Sequence, residues 1–170
     1  MTRKVAIGAD HIGFPIHESI VRYVREAGEE FEPVYIGPHS LERVDYPDYA
    51  LNVARMVARG EADVGILVCG SGIGMSIAAN KVPGIRAALC FDHYTAVMAR
   101  QHNDANVVCL GERTTGPAVL REIIMTFLQT SYSGRTVTRS GWRRLRLPNL
   151  TRMVVRPYLV NDNPKTFSIR

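Results

Sequence analysis

The sequence has no long apolar run and few cysteines, and each shortage excludes a class of protein. The longest apolar runs are short, as at Val64–Cys69 and Val107–Leu110, whereas a membrane-spanning helix needs about 20 apolar residues. Charged residues soon follow Met1, so we expect no secretory leader. Three cysteines without close spacing argue against a disulfide framework and a zinc site. Cys90 and Cys109 end apolar runs and are expected to be buried. We therefore expect a soluble protein of the reducing cytoplasm.

Acidic residues are almost missing from the C-terminal part of the chain. Residues 135–170 hold nine Lys or Arg and one acid, whereas residues 1–134 hold 12 basic and 15 acidic residues. The net charge of +5 therefore comes from the tail and does not predict nucleic-acid binding by the whole protein. Nucleic-acid binding through the tail stays an alternative, although Trp142, Tyr158 and Phe167 are too scattered for a stacking platform.

What the sequence has is a regular alternation of short strands and amphipathic helices. The strands are rich in Val, Ile and Leu and mostly form continuous apolar runs, which is typical of strands buried on both faces. We predict strands at Lys4–Gly8, Pro33–Ile36, Asp63–Val68, Arg86–Cys90 and Asn106–Leu110. We predict helices at Ile12–Ala27, Pro47–Arg59, Ser76–Lys81, His93–Gln101 and Pro117–Thr130. This alternation predicts a single α/β domain, with an open parallel five-stranded sheet covered by helices on both faces.

Ligands of such sheets bind at the carboxyl ends of the strands, so the segments that follow each strand are candidate sites. Asp10 and His11 follow the first strand. Asp10 can cap the next helix, which would place His11 at the positive helix N-terminus. Arg113 follows the fifth strand at the same edge. An ordinary helix cap beside a surface histidine, and a solvated arginine, are the alternatives.

A glycine-rich turn follows the third strand and reads Cys69-Gly70-Ser71-Gly72-Ile73-Gly74. Three glycines in five residues let backbone N–H groups converge on one point, where they can bind phosphate or a developing oxyanion. Dinucleotide binding fits less well, because the turn follows the third strand, has GxGxG spacing and lacks an acidic residue about 20 positions on. A helix N-terminus can convert the thiol of Cys69 to a thiolate, which is a base or nucleophile beside that oxyanion site.

Two further groups of residues lie away from the strand ends. His102 and Asn103 belong to a polar run just before the fifth strand, where a histidine is expected at an exposed helix end. Arg135 and Arg139 are four residues apart. If that segment is helical, the two arginines share a face and could grip one phosphate. Solvated surface charge is the alternative for both arginines.

Six segments follow one another along the chain. They are Gly-Ala-Asp-His-Ile-Gly at 8–13, Asp45-Tyr46-Pro47, Cys-Gly-Ser-Gly-Ile-Gly at 69–74, Ala-Ala-Asn-Lys-Val-Pro-Gly-Ile-Arg at 78–86, Arg-Gln-His-Asn at 100–103 and Gly-Glu-Arg at 111–113. Together they resemble the type-B ribose-5-phosphate isomerases and the related galactose-6-phosphate and allose-6-phosphate isomerases. The resemblance implies a Rossmann-like isomerase domain, which we place at residues 1–139. The basic tail over 140–170 lies outside the resemblance. It also implies a homodimer, or a tetramer, whose active sites are built from two subunits.

The resemblance further implies an activity without cofactor or metal, the interconversion of ribose 5-phosphate and ribulose 5-phosphate. Cys69 resembles the base that moves a proton between C1 and C2 through a cis-enediolate; some members carry a glutamate base where this chain has Met75. Ser71 would pass the proton between O1 and O2, and His102, assisted by Asp10, would open the furanose ring. The remaining positions would contact the substrate and are Gly70, Gly72, Ile73 and Gly74 in the turn, His11, Arg113, Arg135 and Arg139 at the phosphate, and Asp45, Tyr46 and Asn103 along the sugar.

The C-terminal part departs from the family pattern. Between Arg135 and Arg139 the family's usual histidine and glutamine are missing, and Gly141 would weaken a following helix. Two other functions therefore stay as alternatives. One is isomerisation of another sugar phosphate, of the allose 6-phosphate or galactose 6-phosphate type. The other is a non-catalytic sugar-phosphate-binding protein on the same fold, which the presence of Cys69 and His102 disfavours.

Overall fold

The structure is a computed structural model and describes residues 2–134. Within these residues, strands and α-helices alternate as predicted. The strands are β1 Arg3–Ala9, β2 Phe31–Tyr35, β3 Val64–Cys69, β4 Ala87–Leu89 and β5 Val107–Gly111. The helices are α1 His17–Ala27, α2 Tyr46–Ala58, α3 Ile73–Ala79, α4 His93–Gln101 and α5 Pro117–Gln129. The predicted α/β fold is confirmed.

The start of α1 differs from the prediction. The helix begins at His17 rather than at Ile12, because a turn and a 3-10 helix at Phe14–Ile16 come first. The carboxylate of Asp10 accepts the N–H groups that open this turn, and Pro15 has no N–H to donate to an α-helical hydrogen bond. The periodic apolar residues of the segment 12–27 therefore predict α1 but do not predict the turn that precedes it.

All strand pairs are parallel, and the strand order is β2-β1-β3-β5-β4. Strand β2 lies on one side of β1, and β3 lies on the other. This change in the direction of strand addition creates a topological switch point beside β1. Because β1, β3 and β5 are neighbours, the segments that follow them meet at one edge of the sheet. This edge is called the carboxyl edge below, and the opposite edge is called the amino edge.

Helices cover both faces of the sheet, as predicted. On one face α1, α4 and α5 enclose a core that includes Ile7, Ile66 and Leu110. On the other face α2 and α3 pack on Leu67, Cys69 and neighbouring residues. The alternation of side chains along β3 therefore directs Cys69 to the α2 and α3 side.

Helix α2 lies very close to the sheet because two strand residues beneath it are glycines. A Cβ atom at Gly8 or Gly65 would come within 2.8 or 2.7 Å of Val53. This close approach brings the beginning of α2, where Asp45 and Tyr46 stand, near the carboxyl edge. No helix within residues 2–134 is long and apolar enough to cross a membrane. The predicted boundary at residue 139 and the tail over 140–170 lie outside the described residues.

Candidate active site

Asp10 organises the turn that follows β1. Its carboxylate is only 6% exposed, and Oδ1 accepts the N–H groups of Ile12 and Gly13, each at 2.9 Å. Asp10 therefore caps a turn and not α1 itself, so the prediction that it caps the helix is wrong. For the same reason His11 lies within this turn and not at a helix N-terminus.

His11 connects the β1 turn to the segment that enters α2. The Val44 N–H donates to His11 Nδ1 at 3.4 Å. In the neutral ring the proton is then on Nε2, because Nδ1 is the acceptor. Asp45 follows Val44 directly and stands at the N-cap of α2, where its side chain makes no capping hydrogen bond. This contact places His11 and Asp45 on neighbouring segments.

Cys69 is the last residue of β3 and is 6% exposed. Its Sγ accepts the backbone N–H of Gly72 at 3.1 Å. An N–H directed at sulfur stabilises negative charge on it, as thiolates require. Gly72 adopts a left-handed conformation with φ of +76°, and a Cβ there would lie 2.5 Å from Leu89 Cδ1 and 3.0 Å from the Leu110 backbone. Only glycine allows the turn that brings this N–H to the sulfur.

Backbone hydrogen bonds join the β3 turn to the segment after β5. Glu112 N donates to Cys69 O at 2.9 Å, and Arg113 N donates to Gly70 O at 3.0 Å. A Cβ at Gly70 would lie 3.7 Å from both Arg113 Cδ and Ile12 Cγ2. The segments after β1, β3 and β5 therefore meet at one point.

Ser71 and Tyr46 complete this meeting point. A Cβ at Gly111, the end of β5, would lie 2.9 Å from Ser71 Cα. The Ser71 Oγ accepts the N–H of Ile73 at 3.4 Å. A Cβ at Gly74 would lie 2.7 Å from the ring of Tyr46, so this ring packs against the first turn of α3. The structure thus collects the predicted residues at the carboxyl edge, namely Asp10, His11, Asp45, Tyr46, the turn from Cys69 to Gly74, and Arg113.

His102 and Asn103 are not part of this cluster. His102 is the C-cap of α4 and is exposed as predicted, and Asn103 beside it is exposed too. Because β5 begins at Val107 and runs from there toward the cluster, the two residues lie at the amino edge. A strand of five residues measures about 16 Å, so within one chain His102 and Cys69 lie at opposite ends of the sheet. Arg135 and Arg139 lie outside the described residues.

Comparison with known proteins identifies the family. Residues 5–141 match the family model described as Ribose/Galactose Isomerase. The chain belongs to this family. It is 47% identical over 132 residues to ribose-5-phosphate isomerase B of Escherichia coli (strain K12), a match that covers 78% of this chain and 87% of the relative. The predicted resemblance is confirmed, and the protein is an enzyme of the aldose–ketose isomerase class.

Solved structures of ribose/galactose isomerases have the same fold. The structure of the Trypanosoma brucei type B ribose 5-phosphate isomerase superposes with a TM-score of 0.85 at 91% identity, covering 86% of this chain and 98% of that chain. The structure of the Trypanosoma cruzi type B ribose 5-phosphate isomerase gives a TM-score of 0.85 at 64% identity, covering 86% and 95%. Together with the parallel sheet described above, these matches establish the Rossmann-like fold.

The two other cysteines of this isomerase are buried, as predicted. Burial raises the pKa of the Cys90 thiol to about 11 and that of the Cys109 thiol well above its ordinary value. Both thiols therefore stay protonated at neutral pH and cannot serve as bases. Within residues 2–134 no three His, Cys, Asp or Glu side chains are grouped to hold a metal ion; the absence of a metal and a cofactor from the reaction stays a prediction.

One cluster of this isomerase, at the amino edge, is not predicted by any pattern in the sequence. The carboxylate of Asp104 lies between the guanidinium groups of Arg86 and Arg100. Arg100 and Asp104 are four residues apart, a spacing that predicts an ion pair at a helix end. Arg86 is 18 residues from Asp104, and no local pattern connects them.

Proposed function

We propose that the enzyme interconverts ribose 5-phosphate and ribulose 5-phosphate, with Cys69 as the catalytic base. The observation that supports this most directly is the Gly72 N–H directed at Cys69 Sγ at 3.1 Å. In the proposed reaction the thiolate removes the proton from C2 of the open-chain aldose and returns it to C1 of the enediolate. A sulfur that a backbone donor keeps in place suits a base that must lose and regain a proton in each turnover.

The first turn of α3 would stabilise the enediolate. The backbone N–H groups of the turn from Gly70 to Gly74 lead into this helix, and that of Gly74 has no intrahelical acceptor. They lie beside Cys69, so negative charge on the substrate oxygens would form next to fixed donors. Ser71 Oγ accepts the Ile73 N–H, which leaves its own proton to move between O1 and O2.

His11 and Arg113 would bind the phosphate, together with Arg135 and Arg139. His11 would face the phosphate with Nε2, since its Nδ1 accepts from Val44, and Arg113 would supply a guanidinium, which matches phosphate geometry. Binding a dianion away from the reacting carbons supplies energy that holds the open chain in place. Asp45 and Tyr46 would contact the sugar hydroxyls, and Asn103, which lies with His102 at the amino edge, would do so from a second copy.

His102, assisted by Asp10, would open the furanose ring, and it would do so in the active site of a second copy. The position of His102 at the amino edge supports this, because it cannot reach Cys69 of its own chain. The exposed side chains of Ile73 and Ile77, 51% and 56% exposed and one turn apart on α3, support it too. An apolar pair next to the site is suited to contact with another subunit.

The enzyme would therefore be a homodimer, or a tetramer, with shared sites. The isomerase domain would span residues 1–139, with residues 140–170 as a basic tail. The enzyme would act in the cytoplasm, in the pentose phosphate pathway, without a metal or cofactor.

The test is ribulose 5-phosphate formation from ribose 5-phosphate in the presence of EDTA. Wild type is expected to be active, and Cys69→Ala to lose about 10²- to 10⁴-fold in kcat, the usual contribution of general acid–base catalysis. Cys90→Ala is the matched control, since it removes a buried thiol outside the site, and it should keep wild-type turnover. Calorimetry with ribitol 5-phosphate, which cannot isomerise, should show binding by Cys69→Ala close to that of wild type.

Other outcomes separate the alternatives. Full turnover by Cys69→Ala would remove the thiol from the mechanism. A wild type that isomerises only allose 6-phosphate or galactose 6-phosphate would correct the substrate. A wild type that binds ribitol 5-phosphate and isomerises no sugar phosphate would be a binding protein.

A further inference from the structure

The chain reverses direction sharply at the end of α4, and this turn carries His102 and Asn103. Asp104 N donates to Arg100 O at 3.1 Å, and Ala105 N donates to Ala99 O at 2.8 Å. Asp104 itself has a positive φ of 47°, a conformation that glycine, asparagine and aspartate adopt most readily. The backbone around His102 is therefore closed by hydrogen bonds on both sides.

The Asp104 side chain joins this turn to two other parts of the molecule. Its Oδ2 accepts from Arg86 Nη2 at 3.0 Å, and its Oδ1 accepts from Arg100 Nη1 at 3.3 Å. Arg86 Nε also donates to the backbone oxygen of Asp104 at 2.7 Å. Arg86 lies directly before β4, and Arg100 belongs to α4. The carboxylate thus holds the turn to the sheet and to the helix at once.

Further hydrogen bonds make this cluster rigid. Arg100 donates to Ala105 O and, at 3.3 Å, to Thr130 O. The side chains of Arg86, Asp104 and Arg100 are only 17%, 24% and 13% exposed. Ion pairs with this little exposure are screened less by solvent than surface pairs, so loss of one partner would affect the geometry of the others.

His102 has no comparable support of its own. Within residues 2–134 the imidazole accepts and donates no hydrogen bond, and only its backbone N–H is bound, to Met98 O at 3.0 Å. The direction in which the side chain leaves the molecule is therefore set by the backbone of the turn. That backbone is fixed by Asp104 and its two arginines.

We propose that Asp104 is a positioning residue for ring opening: its carboxylate, held between Arg86 and Arg100, keeps the turn in the conformation that presents His102 to the active site of the second copy. This inference rests on the ring-opening role given to His102 in the proposed function. Asp104 touches neither the substrate nor the reacting atoms.

A double-mutant cycle on ribose 5-phosphate turnover tests this inference. Asp104→Asn keeps the size of the side chain and tolerates positive φ, but it removes the charge. It should lower kcat by about 10- to 100-fold, as small misplacements of catalytic groups do. His102→Ala should lower kcat by about 100-fold, with a residual rate from the open-chain aldose in solution. In the double variant kcat should equal that of His102→Ala alone.

Independent losses would multiply in the double variant, and that result would overturn the inference. Asp104→Gly guards against misfolding, since glycine accepts the positive φ without strain; it should lose activity as Asp104→Asn does. Full activity of Asp104→Gly would show that the backbone alone positions His102 and would also overturn it.

A second acid between two arginines, at a more exposed position, provides the control. Glu26 lies between Arg22 and Arg121, at 3.7 and 2.6 Å, on the surface of α1 and α5. Glu26→Gln removes an acid between two arginines far from His102 and should keep wild-type kcat. If His102→Ala keeps wild-type kcat, the ring-opening role itself fails. If His102→Ala loses activity and Asp104→Asn does not, only the positioning role fails.

Discussion

At the scale of single residues, Gly72 contributes both to the stability of the fold and to the proposed chemistry of Cys69. The same backbone that needs a positive φ brings the Gly72 N–H to Cys69 Sγ. We expect Gly72→Ala to lower the free energy of unfolding in two ways. The left-handed conformation costs about 1–2 kcal/mol for alanine, and contact with Leu89 and Leu110 costs about 1–3 kcal/mol more. Urea denaturation measures the sum, and kcat should fall together with stability.

Gly60→Ala is the matched control for Gly72→Ala. Gly60 has a φ of +73°, and nothing lies within 4 Å of a Cβ built there. Its substitution should therefore cost only the conformational part, about 1–2 kcal/mol, and leave kcat unchanged. Equal losses of stability in the two variants would show that the neighbours of Gly72 relax, and unchanged kcat in Gly72→Ala would separate the hydrogen bond from catalysis.

Individual candidate residues could be predicted where they belong to a local sequence motif. Cys69 and Ser71 stand in a glycine-rich turn after a strand, a pattern that predicts a site for a phosphate or an oxyanion. Asp104 was not predictable as a positioning residue. Its two properties, a positive φ and a contact with Arg86 across 18 residues, belong to the folded chain and leave no periodic trace in the sequence.

At the scale of secondary structure, α4 depends on the cap at its beginning. Asp92 accepts the Thr95 N–H at 2.7 Å, and Thr95 Oγ1 accepts the Asp92 N–H at 3.2 Å, which forms a capping box. The Thr95 backbone N–H, followed by the Thr95 hydroxyl, lowers the pKa of Asp92 below its ordinary value of 3.8. The charged carboxylate therefore stabilises the folded state fully at pH values above 3.8. This stabilisation is lost as the pH falls through the lowered pKa of the folded state.

Asp92→Ala should accordingly lower the melting temperature at pH 7, and the difference from wild type should narrow as the pH falls below 3.8. Asp45→Ala is the matched control, because Asp45 occupies the N-cap of α2 without a side-chain capping bond. Its effect on the melting temperature should be smaller at every pH. A pH-independent effect of Asp92→Ala would contradict the charge-based explanation and leave only the loss of a neutral hydrogen bond.

The existence of each helix was predictable, but the start of α1 was not. Ile20 and Val24 carry the helical period and are fully buried. The period cannot show that Asp10 draws the preceding N–H groups into a separate turn. This difference matters for function, because the turn and not the helix places His11 beside Val44.

At the scale of the whole molecule, Cys69 and His102 lie at opposite edges of one sheet. If the active site is shared as proposed, two variants that each retain only a small part of wild-type activity should restore activity when mixed. In an exchanged 1:1 mixture of Cys69→Ala and His102→Ala chains, half of the dimers are hybrids with one intact site each. Two-fold symmetry therefore predicts about one quarter of wild-type activity.

The control mixture contains Cys69→Ala and the double variant Cys69→Ala/His102→Ala, which can form no intact site. It should stay inactive under the same exchange conditions. An inactive mixture of the two single variants, with subunit exchange verified by mass spectrometry of tagged chains, would show that each site is complete within one chain.

The strand order was not predictable from the alternation of strands and helices. Alternation indicates a parallel sheet, but it does not show that β5 lies between β3 and β4. Only this order brings Arg113 to Gly70. The separation of His102 from Cys69 follows instead from the parallel direction of the strands, because His102 precedes β5 and Cys69 ends β3.

The separation of Cys69 and His102 has an evolutionary consequence. If the active site is shared as proposed, then after duplication of the gene one copy could lose its imidazole and the other its thiol, and a mixed assembly of the two would still contain an intact centre. Neither descendant could then work alone, so selection would preserve both genes. Only one of the two centres would then have to be maintained. Residues at the surface between the copies would become free to change, and the sugar preference of the assembly could change with them.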